Sequence, residues 1–102
     1  MSRIEKLLEF LQTTGKDSFL QHALALEYIK IEQDAEALKL FNEILDREPG
    51  YIGSYYHLGK LWERLGEDAK AIVVYQKGME QAKAAGDNHA YNELQMAKEE
   101  LE

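Results

Sequence analysis

Apolar residues recur at helical spacing along nearly the whole chain. Ile4, Leu7, Leu8 and Leu11 fall at i, i+3, i+4 and i+7, with Phe10 beside them, which predicts an amphipathic helix over 3–14. Ser2 with Glu5 three residues on forms a capping-box pattern, and Thr13-Thr14-Gly15 supplies the stop. Asp17 or Ser18 caps a second helix that runs to about Glu32 on a stripe of Leu20, Leu24, Ala25, Tyr28 and Ile31. Gln33-Asp34 turns the chain, with Asp34 as N-cap, and residues 35–47 follow with Ala37, Leu38, Phe41, Ile44 and Leu45 inward. Glu48-Pro49-Gly50 ends that helix, because proline disfavours helical backbone at the residue before it. Ile52 to Leu65 is the fourth helix, closed by Gly66. Asp68 caps a fifth that carries Ala71, Ile72, Tyr75, Met79 and Ala82 to about Ala85-Gly86. Asp87 or Asn88 caps the last, whose stripe is Ala90, Leu94, Ala97 and Leu101 with Tyr91 adjacent. Val73-Val74-Tyr75 is the one β-leaning run and lies inside a periodic helix, so the expected fold is all-α, about six antiparallel helices.

The chain also matches itself at an offset of 34. Leu24 meets Leu58, Ala25 meets Gly59, Tyr28 meets Trp62 and Ile31 meets Leu65. Asp34 to Leu38 (DAEAL) meets Asp68 to Ile72 (DAKAI), Leu40 meets Val74, and Phe41 meets Tyr75. Within 55–75 the order is aromatic-x2-Leu-Gly-x2-aromatic, then Ala-x3-aromatic. This resembles the tetratricopeptide repeat, a 34-residue helix–turn–helix unit with the pattern W-x2-L-G-x2-Y, A-x3-F, P. The resemblance implies an α–α superhelix and an interaction module. It divides a single domain over 1–102 into a half-repeat helix at 3–14, repeats at 18–51 and 52–85, and a capping helix at 87–102. The first helix reads as the second half of a degenerate repeat, Leu7 and Phe10 standing for Phe41 and Ile44. With an initial Met and amphipathic ends, the chain is expected to be complete rather than cut from an array.

Repeat one departs from the pattern at three places: Gln21 stands where the first aromatic belongs, Ile44 where a small residue is usual, and Glu32 where the turn glycine is usual. Repeat two has Lys83 where repeat one has Pro49. Without proline the fifth helix is expected to run about a turn further. Strict spacing would bury Glu93, so a shift of two or three residues is expected to turn the stripe at 90, 94, 97 and 101 inward.

Composition narrows the function. Ala, Leu, Glu and Lys abound in a chain of 102 residues with one proline, which is helical usage. The net charge of −7 argues against nucleic acid and against an anionic membrane surface as partners. There is no cysteine, no apolar run of membrane-spanning length and no cleavage-site pattern behind MSRIEKLLEFLQ, so a cytoplasmic location is expected. GxSxG, P-loop and GxGxxG motifs are missing, Ser18 and Ser54 stand in helix first turns where capping is the usual work, and no enzyme activity is expected. His22, His57 and His89 lie on three different helices with no HxxxH pair, so neither a metal nor any other cofactor is expected.

In the family, first helices of successive repeats line a concave groove. Carried over residue by residue, the resemblance implies Phe19, His22, Leu26, Ile29 and Lys30 from repeat one. From repeat two it implies Gly53, Tyr56, His57, Lys60, Glu63 and Arg64, with Tyr91 joining from the last helix. Apolar Phe19, Leu26 and Ile29 and amphipathic Tyr56 at positions away from the helix-pair core suggest a surface for a partner's peptide or helix. The alternatives are self-association through the terminal helices, as a homodimer or structural unit, and plain packing under the chain's own ends. The Lys/Asn/Arg clamp by which some family members hold a partner's C-terminal carboxylate has no counterpart: His22, Leu26, His57, Asp87 and Tyr91 occupy its places. Tyr56, which the repeat does not demand, is the foremost contact residue, since tyrosine offers a rigid face and one hydroxyl.

Overall fold

The computed structural model describes residues 2–102. Six helices account for about four-fifths of them: α1 (Arg3–Thr14), α2 (Ser18–Lys30), α3 (Asp34–Arg47), α4 (Gly53–Arg64), α5 (Asp68–Ala85) and α6 (Asn88–Glu99). No strand occurs among the described residues. They fall into two compact units, Met1–Glu48 with α1 to α3 and Pro49–Glu102 with α4 to α6.

In the first unit α2 packs on both α1 and α3. Leu7, Leu24, Ala25, Ala37, Phe41 and Ile44 form its core. In the second, α5 lies between α4 and α6, and α4 touches α6 directly. Tyr55, Leu58, Leu61, Ala71, Tyr75, Met79, Ala82, Leu94 and Ala97 are buried there. Two glycines decide how closely these helices approach. A Cβ on Gly59 would lie 2.1 Å from Cε1 of Tyr75, and one on Gly78 would lie 2.7 Å from Cβ of Tyr55 and 2.9 Å from Cδ1 of Leu94. Each is a helix-interior glycine, unfavourable by local propensity, kept because a ring occupies the space its side chain would need.

Repeat one fills the corresponding positions with different residues. Ala25 and Phe41 stand for Gly59 and Tyr75, and Gln21 and Ile44 for Tyr55 and Gly78. The two apparent departures at 21 and 44 are therefore one exchange: the ring is lost on α2 and the bulk reappears on α3, with Ile44 fully buried. The Gln21 amide, also buried, finds polar partners. It accepts from Arg47 Nη2 at 2.5 Å and donates from Nε2 to Glu43 at 3.1 Å. Ser18 joins this cluster, accepting from Arg47 at 2.7 Å and donating to Glu48 at 2.8 Å. The expected capping role for Ser18 is thus corrected. Asp17 is the cap, accepting from the Leu20 N–H at 2.9 Å, and Ser18 is a buried first-turn residue.

Three turns close in one way. The N–H groups of Gln33, Glu67 and Asp87 donate to Tyr28, Trp62 and Ala82, each at 2.9 Å, which is the 6→1 bond of a Schellman motif. The residue before each donor has positive φ: Gly66 at 78°, Gly86 at 71° and, in repeat one, Glu32 at 58°. A side chain with a Cβ is thus held in the left-handed region, at a cost of about 1–2 kcal/mol. Ile31 was expected on the core stripe of α2. It is 54% exposed because the helix ends at Lys30 and the closing turn carries Ile31 out of register. Asp34 and Asp68 were expected as N-caps. They are first-turn residues instead, behind Gln33 and Glu67, whose side chains make no cap bond, so these carboxylates act on the helix dipole.

α5 runs to Ala85, four residues beyond Gln81, which is the counterpart of Arg47 at the end of α3. Pro49 has no equivalent at Lys83 to stop it. In α6, Leu94 and Ala97 are buried and Glu93 is exposed. The buried residues Leu94 and Ala97 lie 36 positions after Leu58 and Leu61 rather than 34.

Two stability measurements check this account. Gly59→Ala, which raises helix propensity, is expected to lower the unfolding free energy by about 2 kcal/mol because the methyl group overpacks Tyr75. Urea denaturation showing an unchanged or raised midpoint would refute that close approach. Glu32→Gly is expected to gain about 1 kcal/mol by relieving the left-handed turn, whereas Glu32→Ala, which keeps a Cβ, is expected to gain nothing by the same measurement.

Candidate functional site

Of the twelve residues carried over to the interaction surface, eleven lie on α2 and α4 and Tyr91 lies on α6. On α2, Phe19 is 71% exposed and Lys30 is exposed, while His22, Leu26 and Ile29 are half-buried. The His22 ring stands edge-on to Phe41, centroids 5.7 Å apart, so that one side chain belongs partly to the core beneath it. Lys30 reaches Glu27 at 2.9 Å, and Arg3 of α1 reaches the same carboxylate oxygen at 3.5 Å. α2 therefore presents apolar Phe19, Leu26 and Ile29 beside a cation already matched by a neighbouring acid.

On α4 the assigned residues are built into a connected group. Tyr56, His57, Lys60 and Glu63 are half-buried and Arg64 is exposed. Lys60 Nζ lies 5.5 Å from the centre of the Tyr56 ring and 3.5 Å from the Glu63 carboxylate. Glu63 in turn accepts a hydrogen bond from the hydroxyl of Tyr75, a core residue of α5. Burial, reinforced by that carboxylate, pushes the Tyr75 phenol far above its ordinary value, so it stays a neutral donor. Tyr56 tilts against Tyr75 at 6.5 Å and stands edge-on to His57 at 5.8 Å. The surface group is thereby tied to the core through one phenol and one carboxylate. In repeat one the counterparts of Tyr75 and Glu63 are Phe41 and Ile29, so the bond and both its polar ends are replaced together by apolar residues.

α6 adds residues that were not assigned. A shallow pocket of about 130 Å³ is lined by Tyr56 and Lys60 from α4 and by Glu93, Met96, Ala97 and Glu100 on the other side. Met96 is 64% exposed. Strict 34-residue spacing carried over Tyr91 instead, and the longer α5 is what brings 93, 96 and 100 to this place. A second pocket, about 350 Å³ and almost wholly apolar, lies between α4 and α5 over Trp62, Ala69, Val73 and Val74. Lys70 Nζ covers the Trp62 ring at 4.6 Å. The signal for it was the β-leaning pair Val73-Val74, of which Val73 is 53% exposed. Among the described residues no three His, Asp or Glu side chains gather closely enough to hold a metal ion, and no helix is long and apolar enough to cross a membrane.

Known structures carry the same architecture. The chain is 44% identical to a tetratricopeptide repeat domain protein from Salinibacter ruber solved in solution, with a TM-score of 0.82 over 85% of this chain and 88% of that one. The chain belongs to the tetratricopeptide repeat family. A crystal structure of a tetratricopeptide repeat domain protein from the same organism gives 43% identity and a TM-score of 0.79 over 84% of this chain and 96% of that one. The solution structure of a protein from Bordetella parapertussis is 28% identical, with a TM-score of 0.86 over 99% of this chain and 88% of that one. No protein-family model matches the chain, and no curated protein does. The tetratricopeptide repeat fold is in general a protein–protein interaction module.

His57 gives the site a pH signature. Burial lowers its pKa below the ordinary 6.5, and the nearby Glu93 carboxylate offsets only part of this. The folded state therefore binds the proton less readily than the unfolded chain. Its contribution to stability is complete above about pH 6.5 and is lost as pH falls below that value. Urea midpoints taken at pH 7 and pH 5 are expected to fall on acidification, and His57→Gln is expected to flatten that fall. An identical slope in the variant would show that His57 is not its source.

Proposed function

We propose that the protein is a non-catalytic adaptor that binds a peptide or helix of a partner protein through residues exposed on α4 and residues exposed on α2. The observation that carries this reading is the Tyr56–Lys60–Glu63 group. The repeat pattern requires none of the three, yet each is held in place by another and, through Tyr75, by the core. A surface whose side chains are ordered before binding loses less entropy on association, and a rigid tyrosine beside charged neighbours is a common hot-spot composition. Phe19, Leu26 and Ile29 supply apolar area on α2, with His22 and Lys30 on the same helix, while His57 and Arg64 flank the group on α4.

Self-association through the terminal helices is the second reading, and the residues at the ends weigh against it. At the 34-residue offset Arg3 takes the place of Ala37 and Ala71, and Phe10 that of Ile44 and Gly78. On α6, displaced to 36, Gln95 and Lys98 take the places of Gly59 and Trp62. A further helix stacking in the manner of α4 on α5 would meet a guanidinium or an amide where the repeats keep a small residue.

Affinity capture from native lysate with Tyr56→Ala beside the parent protein tests the partner reading. The expected outcome is a captured protein that the variant loses by tenfold or more, on the scale of about 2 kcal/mol typical of an aromatic hot spot, while circular dichroism shows both forms equally folded. A partner retained by Tyr56→Ala and lost on substitution at Val73 would move the site to the other face.

A further inference from the structure

We infer that the partner segment is basic and that one of its arginine or lysine side chains enters the pocket between α4 and α6. This rests on the binding surface proposed above and names the chemistry it selects. The pocket holds about 130 Å³, well short of the roughly 300–1,000 Å³ of small-molecule sites, and is the size for one side chain. Its lining suits a long cationic one. Tyr56 offers an aromatic face that already has one ammonium group, that of Lys60, within 5.5 Å. Met96 and Ala97 offer apolar contact for an alkyl stem.

The charge balance decides the sign. Lys60 is the one cation of the lining, and Glu63 stands 3.5 Å from it. Glu93 and Glu100 then leave the pocket two net negative charges when Glu63 is included. Glu93 stands 3.9 Å from His89 Nε2, an ion pair only when that imidazole is protonated, and its charge also acts on half-buried His57. An arginine or lysine entering here would meet two carboxylates at the mouth and a ring along its stem, whereas a carboxylate would face repulsion from both. The overall charge of −7 draws the same class of segment toward the chain from a distance. The seating is geometrically distinct from the family's carboxylate clamp, whose positions here hold His22, Leu26, His57, Asp87 and Tyr91.

The test is amide-shift mapping on the ¹⁵N-labelled full chain with capped tetra-arginine, tetra-glutamine and tetra-glutamate peptides at low salt. Tetra-arginine is expected to shift Tyr56, Lys60, Glu93 and Met96, and its affinity is expected to fall about tenfold in Glu93→Gln/Glu100→Gln, as two solvent-exposed ion pairs allow. A control pair far from the pocket in sequence, Glu36→Gln/Glu80→Gln, is expected to bind as the parent does. Equal affinity for parent and pocket variant, or an equal loss in the control, overturns the inference. If tetra-glutamine or tetra-glutamate shifts the α4 residues instead, the surface stands as a peptide site and the basic preference is wrong. If none of the three peptides shifts any residue of α4, the inference fails together with the surface on which it rests.

Discussion

The contact between Gly59 and Tyr75 governs the second unit. α4 and α5 approach so closely that a single methyl group on Gly59 would overlap the tyrosine ring. Removing the side chain from α4 seats the ring, seating the ring brings its hydroxyl to Glu63, and Glu63 then fixes Lys60 beside Tyr56. One missing side chain thus reaches from the core to the surface through three bonded or stacked contacts. In repeat one the counterparts are Ala25 and Phe41, both fully buried, so that helix pair accommodates the methyl group that Gly59 lacks, and because phenylalanine has no hydroxyl the chain of contacts stops at the core. The two repeats share a backbone plan, but only the second extends it into an ordered polar surface.

Most of the fold was legible because the constraints that make it are local or periodic. Helix phasing, the 34-residue self-match, the Ser2–Glu5 capping box and the glycines at 66 and 86 follow from spacing and backbone chemistry alone. What spacing could not show was compensation between positions far apart in sequence. Gln21 and Ile44 each look like a defect when compared with the repeat one at a time. They make sense as a pair, with the buried amide satisfied by Arg47 and Glu43. Glu32 is the opposite case. It departs from the turn glycine with no compensating change, since the Schellman bond forms regardless and forces the residue to a φ of 58°.

The candidate surface was legible in part for the same reason. The helical repeat puts Tyr56, His57, Lys60 and Arg64 on one face of α4 wherever that helix lies, so those positions could be read from phase. The role of Glu63 as the acceptor for a core phenol could not be read so, because it depends on Tyr75 twelve residues on, across a turn. Nor could Glu93, Met96 and Glu100 be found by carrying over the repeat, which pointed to Tyr91.

That last displacement has a consequence for how such modules diversify. Had a proline stood at 83 and kept the spacing at 34, the residues of α6 in the phase of Tyr56, His57, Lys60 and Arg64 would have been Ala90, Tyr91, Leu94 and Lys98. At 36 they are Asn92, Glu93, Met96 and Glu100, and an apolar, weakly cationic wall becomes an acidic one. The extra turn of α5 acts as a reading-frame shift in three dimensions. Without altering a residue of the final helix, it selects which of that helix's faces borders the pocket, so helix length serves as a determinant of specificity separate from the residues that make the contacts.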